Sequence, residues 1–145
     1  MDVLLLSCGT GGGHNAAARA IAEELRRRGH GAEILNPYSL CSEELAGRID
    51  RTYIRNVQKA PRLFGAVYRL GEWYRKLPLR SPVYLANRLM APAMAEYLGQ
   101  NRFDLIITTH IFPAGILTAV RRSGVETPKV IHAATDYVCI PFTEE

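Results

Sequence analysis

A short apolar run, Val3-Leu4-Leu5-Leu6, passes directly into Ser7-Cys8-Gly9-Thr10-Gly11-Gly12-Gly13-His14-Asn15, and a stretch of strong helix formers follows. A continuous Val/Leu run this short suits a strand buried on both faces, as in a parallel sheet. The segment Ala16 to Gly29 carries basic residues in its last turn and ends on glycine, so it reads as a helix with its stop signal in place. The chain therefore opens on a glycine-rich strand-to-helix turn. Glycines there let backbone N–H groups face a ligand at the positive end of the helix, where an anion is favoured. His14 adds a titratable group beside that anion site.

What the loop lacks narrows its chemistry. A P-loop requires Lys and Ser/Thr after its last glycine, and His14 and Asn15 stand there instead. A dinucleotide fingerprint beginning at Gly9 requires glycine at position 14, which is again the histidine. The second strand, read as Glu33 to Asn36, ends on Asn36 rather than on an acidic ribose ligand. Mononucleotide-kinase chemistry is thereby excluded, and a nicotinamide or flavin cofactor is not expected.

The 145 residues suffice for one globular unit with a real core, and 48% hydrophobic with 22% charged residues suits a soluble domain. Cys8, Cys41 and Cys139 form no C-x-x-C pair, which argues against a zinc site or a disulfide framework; all three are expected to be small buried residues. The N-terminus carries Asp2 in place of a basic signal-peptide region, and no segment approaches the roughly 20 apolar residues of a membrane span.

The net charge of +4 is unevenly placed. From Arg48 to Arg102 eleven basic residues face only Asp50, Glu72 and Glu96, a local excess of +8 that leaves the remainder at −4. Aromatic and leucine side chains are interleaved with these charges, including the sole tryptophan. Such composition suits an anionic membrane surface, with Arg62, Arg69, Trp73, Tyr74, Arg75 and Lys76 as the membrane-facing residues. Nucleic acid would draw the same charges. The competing reading is a solvated helical insertion whose aromatics face the core.

Coarse patterning gives an α/β layout. Strand one is Val3 to Cys8, helix one Asn15 to Arg28 and strand two Glu33 to Asn36; helical pieces follow from about 42 to 100, broken near Pro61, Pro78, Pro82 and Pro92. Phe103 to His110 is strand three, Phe112 to Ser123 a helix that tolerates Pro113 in its first turn, and Lys129 to Asp136 strand four. Alternating strands and helices imply parallel order, which puts His14, His110 and Asp136 along the carboxyl edge where such sheets bind ligands. His132, inside strand four, is expected to pack in the core, and His30 to lie in an exposed turn.

Three stretches in order, Gly11-Gly12-Gly13-His14-Asn15-Ala16-Ala17-Ala18, Thr108-Thr109-His110-Ile111-Phe112-Pro113-Ala114 and Thr135-Asp136-Tyr137, resemble the N-terminal domain of the monogalactosyldiacylglycerol synthase and processive diacylglycerol glucosyltransferase family. The likeness covers nearly the whole chain, although Ile111 stands where many members have proline. It implies the Rossmann-like N-terminal half of a GT-B fold with a basic, aromatic helical insertion. The implied activity is inverting transfer of a hexose from a UDP-sugar to diacylglycerol or a similar lipid, with no catalytic metal or other cofactor.

On that likeness His14 is the general base, and Asp136 orients the acceptor or an imidazolium. Gly11, Gly12, Gly13, Asn15, His110, Thr135 and Tyr137 are the substrate-binding residues. The implied partners are a lipid acceptor, anionic lipids and a UDP-sugar shared with a further donor-binding domain, with no nucleic acid. The implied location is cytoplasmic and peripheral to the membrane. The 145 residues are expected to lack turnover without the donor domain. Two other readings are a stand-alone nucleotide- or phosphate-binding module, and a peripheral membrane-interaction domain without catalysis.

Overall fold

A computed structural model describes residues 1–9, 12–42, 44, 47, 51, 73 and 81–136. Four strands, β1 (Asp2–Leu6), β2 (Gly31–Leu35), β3 (Leu105–Thr108) and β4 (Lys129–His132), form one parallel sheet in the order β2-β1-β3-β4. Among the described residues, helices α1 (Gly12–Arg27), α2 (Pro82–Gln100) and α3 (Ile111–Arg122) flank the sheet, with a 3-10 turn at Pro37–Leu40. This is a Rossmann-like α/β arrangement.

Strand β1 explains why the sheet is covered on both sides. Val3 to Leu6 are all essentially inaccessible, and alternate side chains enter different cores. Leu4, Leu6 and Cys8 pack with Ile106 of β3 and with Met90, Met94, Ile116 and Val120 of α2 and α3. Val3 and Leu5 pack with Ile107 and with Ala22 of α1. Alanines at 18 and 22, one turn apart, let α1 lie close to the sheet. Gly29, at φ +79°, closes the turn after α1, and Gly124, at φ +86°, does so after α3; both use a region that favours glycine.

The register pairs Leu6 with Leu35 and with Thr108, and Thr108 with His132, so the carboxyl ends of all four strands stand level. Because β2 lies on one side of β1 and β3 on the other, the winding reverses between β1 and β3. Ligand crevices of open α/β sheets form at such reversals.

Several expectations change. Strand four ends at His132, four residues short of Asp136. His132 is exposed rather than packed, its Nδ1 2.9 Å from Thr108 Oγ1, because β4 is an edge strand with little cover. Cys8 is buried but Cys41 is exposed, just beyond the 3-10 turn, and Cys139 lies outside the described residues. Ser81 caps α2 and Pro82 begins it, yet α2 runs on through Pro92 without a break. The interior proline forfeits one hydrogen bond, to the Arg88 carbonyl, at about 3 kcal/mol. Pro92 and Arg88 lie on the exposed side, while Met90, Ala91 and Met94 are buried on the other. Burying those side chains at about 1.5–3 kcal/mol for a large apolar group outweighs the lost bond. The breaks expected near Pro61 and Pro78 fall outside the described residues.

Ile106 is inaccessible and packs with the larger core. Ile106→Ala is expected to lower unfolding free energy by about 2–5 kcal/mol through lost burial and the cavity left behind. Urea denaturation followed by circular dichroism measures it, and a loss below about 1 kcal/mol would contradict this packing.

Candidate active site

The loop after β1, the loop after β3 and the segment after β4 meet at the carboxyl edge. Thr109 N–H donates to the Leu6 carbonyl at 3.1 Å, and Ala133 N–H to the Thr108 carbonyl at 2.8 Å, which extends the ladder beyond the strands. Those bonds bring Thr109, His110, Thr135 and Asp136 to the first turn of α1.

His14 stands in that turn, third residue of the helix. Its Nδ1 lies 2.9 Å from the carbonyl oxygen of Thr109 and 2.5 Å from Thr135 Oγ1, while Thr135 Oγ1 is 3.0 Å from the same carbonyl. A carbonyl only accepts, so the hydrogen-bond network assigns a proton to Nδ1, and in the neutral imidazole the lone pair then sits on Nε2. Asp136 Oδ1 is 3.8 Å from Nε2. His14 is 15% accessible and Asp136 43%, so the pair faces the open side of the site. The arrangement sets an imidazole, anchored through Nδ1 on a main-chain carbonyl, with its Nε2 edge toward a carboxylate.

His110 has a different character. It is the N-cap of α3, with Nδ1 accepting the Phe112 N–H at 3.1 Å. Its ring is only 5% exposed and meets that of His14 edge to face, centroids 4.3 Å apart at 68°. Burial first, then the nearby His14 and His132, push its pKa down to about 3. It is therefore uncharged at neutral pH.

Gly12 and Gly13 occupy the first turn of α1, both exposed and neither with positive φ. A Cβ at either would meet no protein atom within 4 Å. The chain's own packing thus places no steric demand for glycine there, and the first-turn N–H groups stay approachable. Ser7, buried at the end of β1, donates to Asn15 Oδ1 at 2.6 Å and so fixes the Asn15 amide. Among the described residues, Thr109 Oγ1 is a buried hydroxyl without a hydrogen-bond partner.

The structure thus brings His14, Asn15, His110, Thr135 and Asp136 to one edge with Gly12 and Gly13, while Gly11 and Tyr137 lie outside the described residues. Sequence reasoning missed Ser7 and the Thr109 carbonyl. A serine ending an apolar strand was a faint signal for the first, and a backbone atom leaves none for the second. Among the described residues no three His, Cys, Asp or Glu side chains converge as metal ligands would.

Residues 14–143 match the family model described as Monogalactosyldiacylglycerol (MGDG) synthase. No curated protein and no solved structure matches the chain.

The depressed pKa of His110 links the site to stability. Between its ordinary value of 6.5 and about 3, the unfolded chain binds a proton at this position that the folded chain does not, so stability falls as pH drops through that window. The expected loss from this group between pH 7 and pH 5 is about 2 kcal/mol. Urea titrations at the two pH values check it: His110→Asn should flatten the dependence by that amount, and an unchanged slope would remove His110 as its source.

Proposed function

The chain belongs to the monogalactosyldiacylglycerol synthase family, and on that premise we propose that it is the acceptor-side domain of a GT-B glycosyltransferase. The enzyme transfers a hexose from a UDP-sugar to diacylglycerol or a similar membrane lipid with inversion at the anomeric carbon. A second domain outside these residues holds most of the donor. The observation that carries this reading is the His14 imidazole, oriented through Nδ1 by a main-chain carbonyl, with Nε2 beside a carboxylate at a helix N-terminus.

The chemistry follows from those groups. The acceptor hydroxyl oxygen attacks the anomeric carbon as the bond from that carbon to the diphosphate breaks, and the hydroxyl proton passes to His14 Nε2. The imidazolium so formed lies beside Asp136, whose carboxylate stabilises it. The leaving diphosphate gathers negative charge, which the first-turn N–H groups of α1 and the helix dipole offset. Open space at Gly12 and Gly13 lets the phosphate approach the backbone, and Asn15 and Thr135 supply further polar contacts. No step calls for a metal.

A lipid acceptor requires the domain to reach a membrane. No helix among the described residues is long and apolar enough to cross one. Exposed side chains support docking on the surface, and the proposed location is cytoplasmic and peripheral to the membrane. Trp73 is 58% exposed, and Leu85 and Leu89, one turn apart on α2, are 53% and 81% exposed with Arg88 exposed beside them. Arg62, Arg69, Tyr74, Arg75 and Lys76 lie outside the described residues; this proposal assigns them a membrane-facing role on their charge and aromatic character. Their charge favours anionic lipids; nucleic acid is not a proposed partner.

In the intact protein, His14→Ala is expected to lower turnover about 100-fold or more, since a positioned general base contributes at least that much. Transfer from a radiolabelled UDP-hexose to diacylglycerol in mixed micelles measures it, and activity within a few-fold of wild type in a folded variant would remove His14 from catalysis.

Vesicle co-sedimentation tests the membrane reading. Binding should be strong to anionic vesicles and weak to neutral ones, and should weaken with salt, since exposed charges are screened over roughly 10 Å at 0.1 M. Equal binding to both vesicle types would leave the segment an ordinary solvated insertion.

A further inference from the structure

His110 is an unusual residue for the place it occupies. Ser, Asp and Asn are the preferred N-caps, and each satisfies a first-turn N–H with a smaller side chain. A histidine there brings a ring that capping does not need. That ring is buried, lies edge to face against His14 with centroids 4.3 Å apart, and packs against Phe112 at 4.7 Å.

We propose that His110 is a positioning residue for His14: its imidazole, anchored by the Phe112 main-chain N–H, is the wall that fixes the His14 ring with Nδ1 on the Thr109 carbonyl and Nε2 presented for proton transfer. The inference rests on the reading of His14 as general base and deepens it.

Three observations support the assignment. Nδ1 of His110 accepts from Phe112, which sets the plane of the ring and places its proton on Nε2. Two imidazoliums in edge contact would repel, so the wall serves a base only if it stays uncharged, and burial keeps His110 neutral down to acid pH. Among the described residues, titratable groups near it include His14 from α1 and His132 at the end of β4, with Asp136 on the far side of His14. Aspartate at position 110 would cap α3 equally well but would set a carboxylate against His14 and favour its protonated form. Asparagine would cap and stay neutral, but would leave the face of His14 without the ring that confines it. With 5% exposure, His110 also offers little surface to a substrate.

Two substitutions in the intact protein separate the possibilities. His110→Asn keeps a cap acceptor and removes the wall. It should hold the melting temperature within a few degrees, lower kcat roughly 10- to 100-fold, and leave KM for lipid and UDP-sugar within about twofold. The imidazole nitrogen shifts of His14 should report a single Nδ1–H tautomer in the wild type at alkaline pH and a mixture in this variant. His110→Phe keeps a ring and removes the acceptor. It should retain the His14 tautomer and most of kcat while melting a few degrees lower.

A rise in lipid KM with kcat unchanged in His110→Asn would make His110 a direct substrate contact and overturn the proposal. So would an unaltered His14 tautomer in that variant. If His110→Asn does not fold, loss of the single tautomer in His110→Phe overturns it equally. The nitrogen shifts need no turnover: should His14→Ala retain activity, the base reading falls, while the shifts still decide whether His110 holds His14.

Discussion

Strand β1 sits between β2 and β3, and the rest of the molecule depends on that placement. A parallel strand between two neighbours must present apolar side chains to both faces, and Val3 to Leu6 do so without a polar interruption. One set of side chains requires α1 as its cover and the other requires α2 and α3. The helices following β1 and β3 therefore leave the same edge toward opposite faces. Their first turns diverge above the join between β1 and β3, and His14 and His110 face each other across that join.

Hydrogen bonding along the edge converts this layout into a site with defined chemistry. Thr109 continues the β1–β3 ladder through its N–H, and its carbonyl is thereby oriented toward α1. One ladder bond, the imidazole bond and the Thr135 bond thus share a single residue. The two histidines differ because of where the ladder leaves them. His14 stands at the accessible end of a helix, while His110 is folded in behind it and caps another.

Much of this was legible in the chain. Val3 to Leu6 announced a buried parallel strand because no polar residue interrupts them. Helix formers with Arg26, Arg27 and Gly29 announced α1 and its end. Strand alternation alone was enough to gather His14, His110 and Asp136 on one edge. The parts that escaped share a physical cause: they depend on what lies opposite in space. The passage of α2 through Pro92 follows from Met90 and Met94 being buried beneath it, and the exposure of His132 follows from the edge position of β4. Cys41 is exposed because the turn that carries it lies on the surface, although cysteine as a residue type is usually buried. The role of Ser7 requires knowing that Asn15 folds back over the end of β1.

The atom that orients the His14 imidazole is a main-chain oxygen, and this has a consequence for how the site can vary. Every amino acid at position 109 supplies that oxygen, so side-chain replacement there leaves the bond itself in place. What the position demands is a path for the backbone, set by its pairing with Leu6 and by the strand before it. Inheritance of the proton's location is thus tied to the fold rather than to a residue's identity. That path is held in turn by the apolar run that keeps β1 and β3 in register.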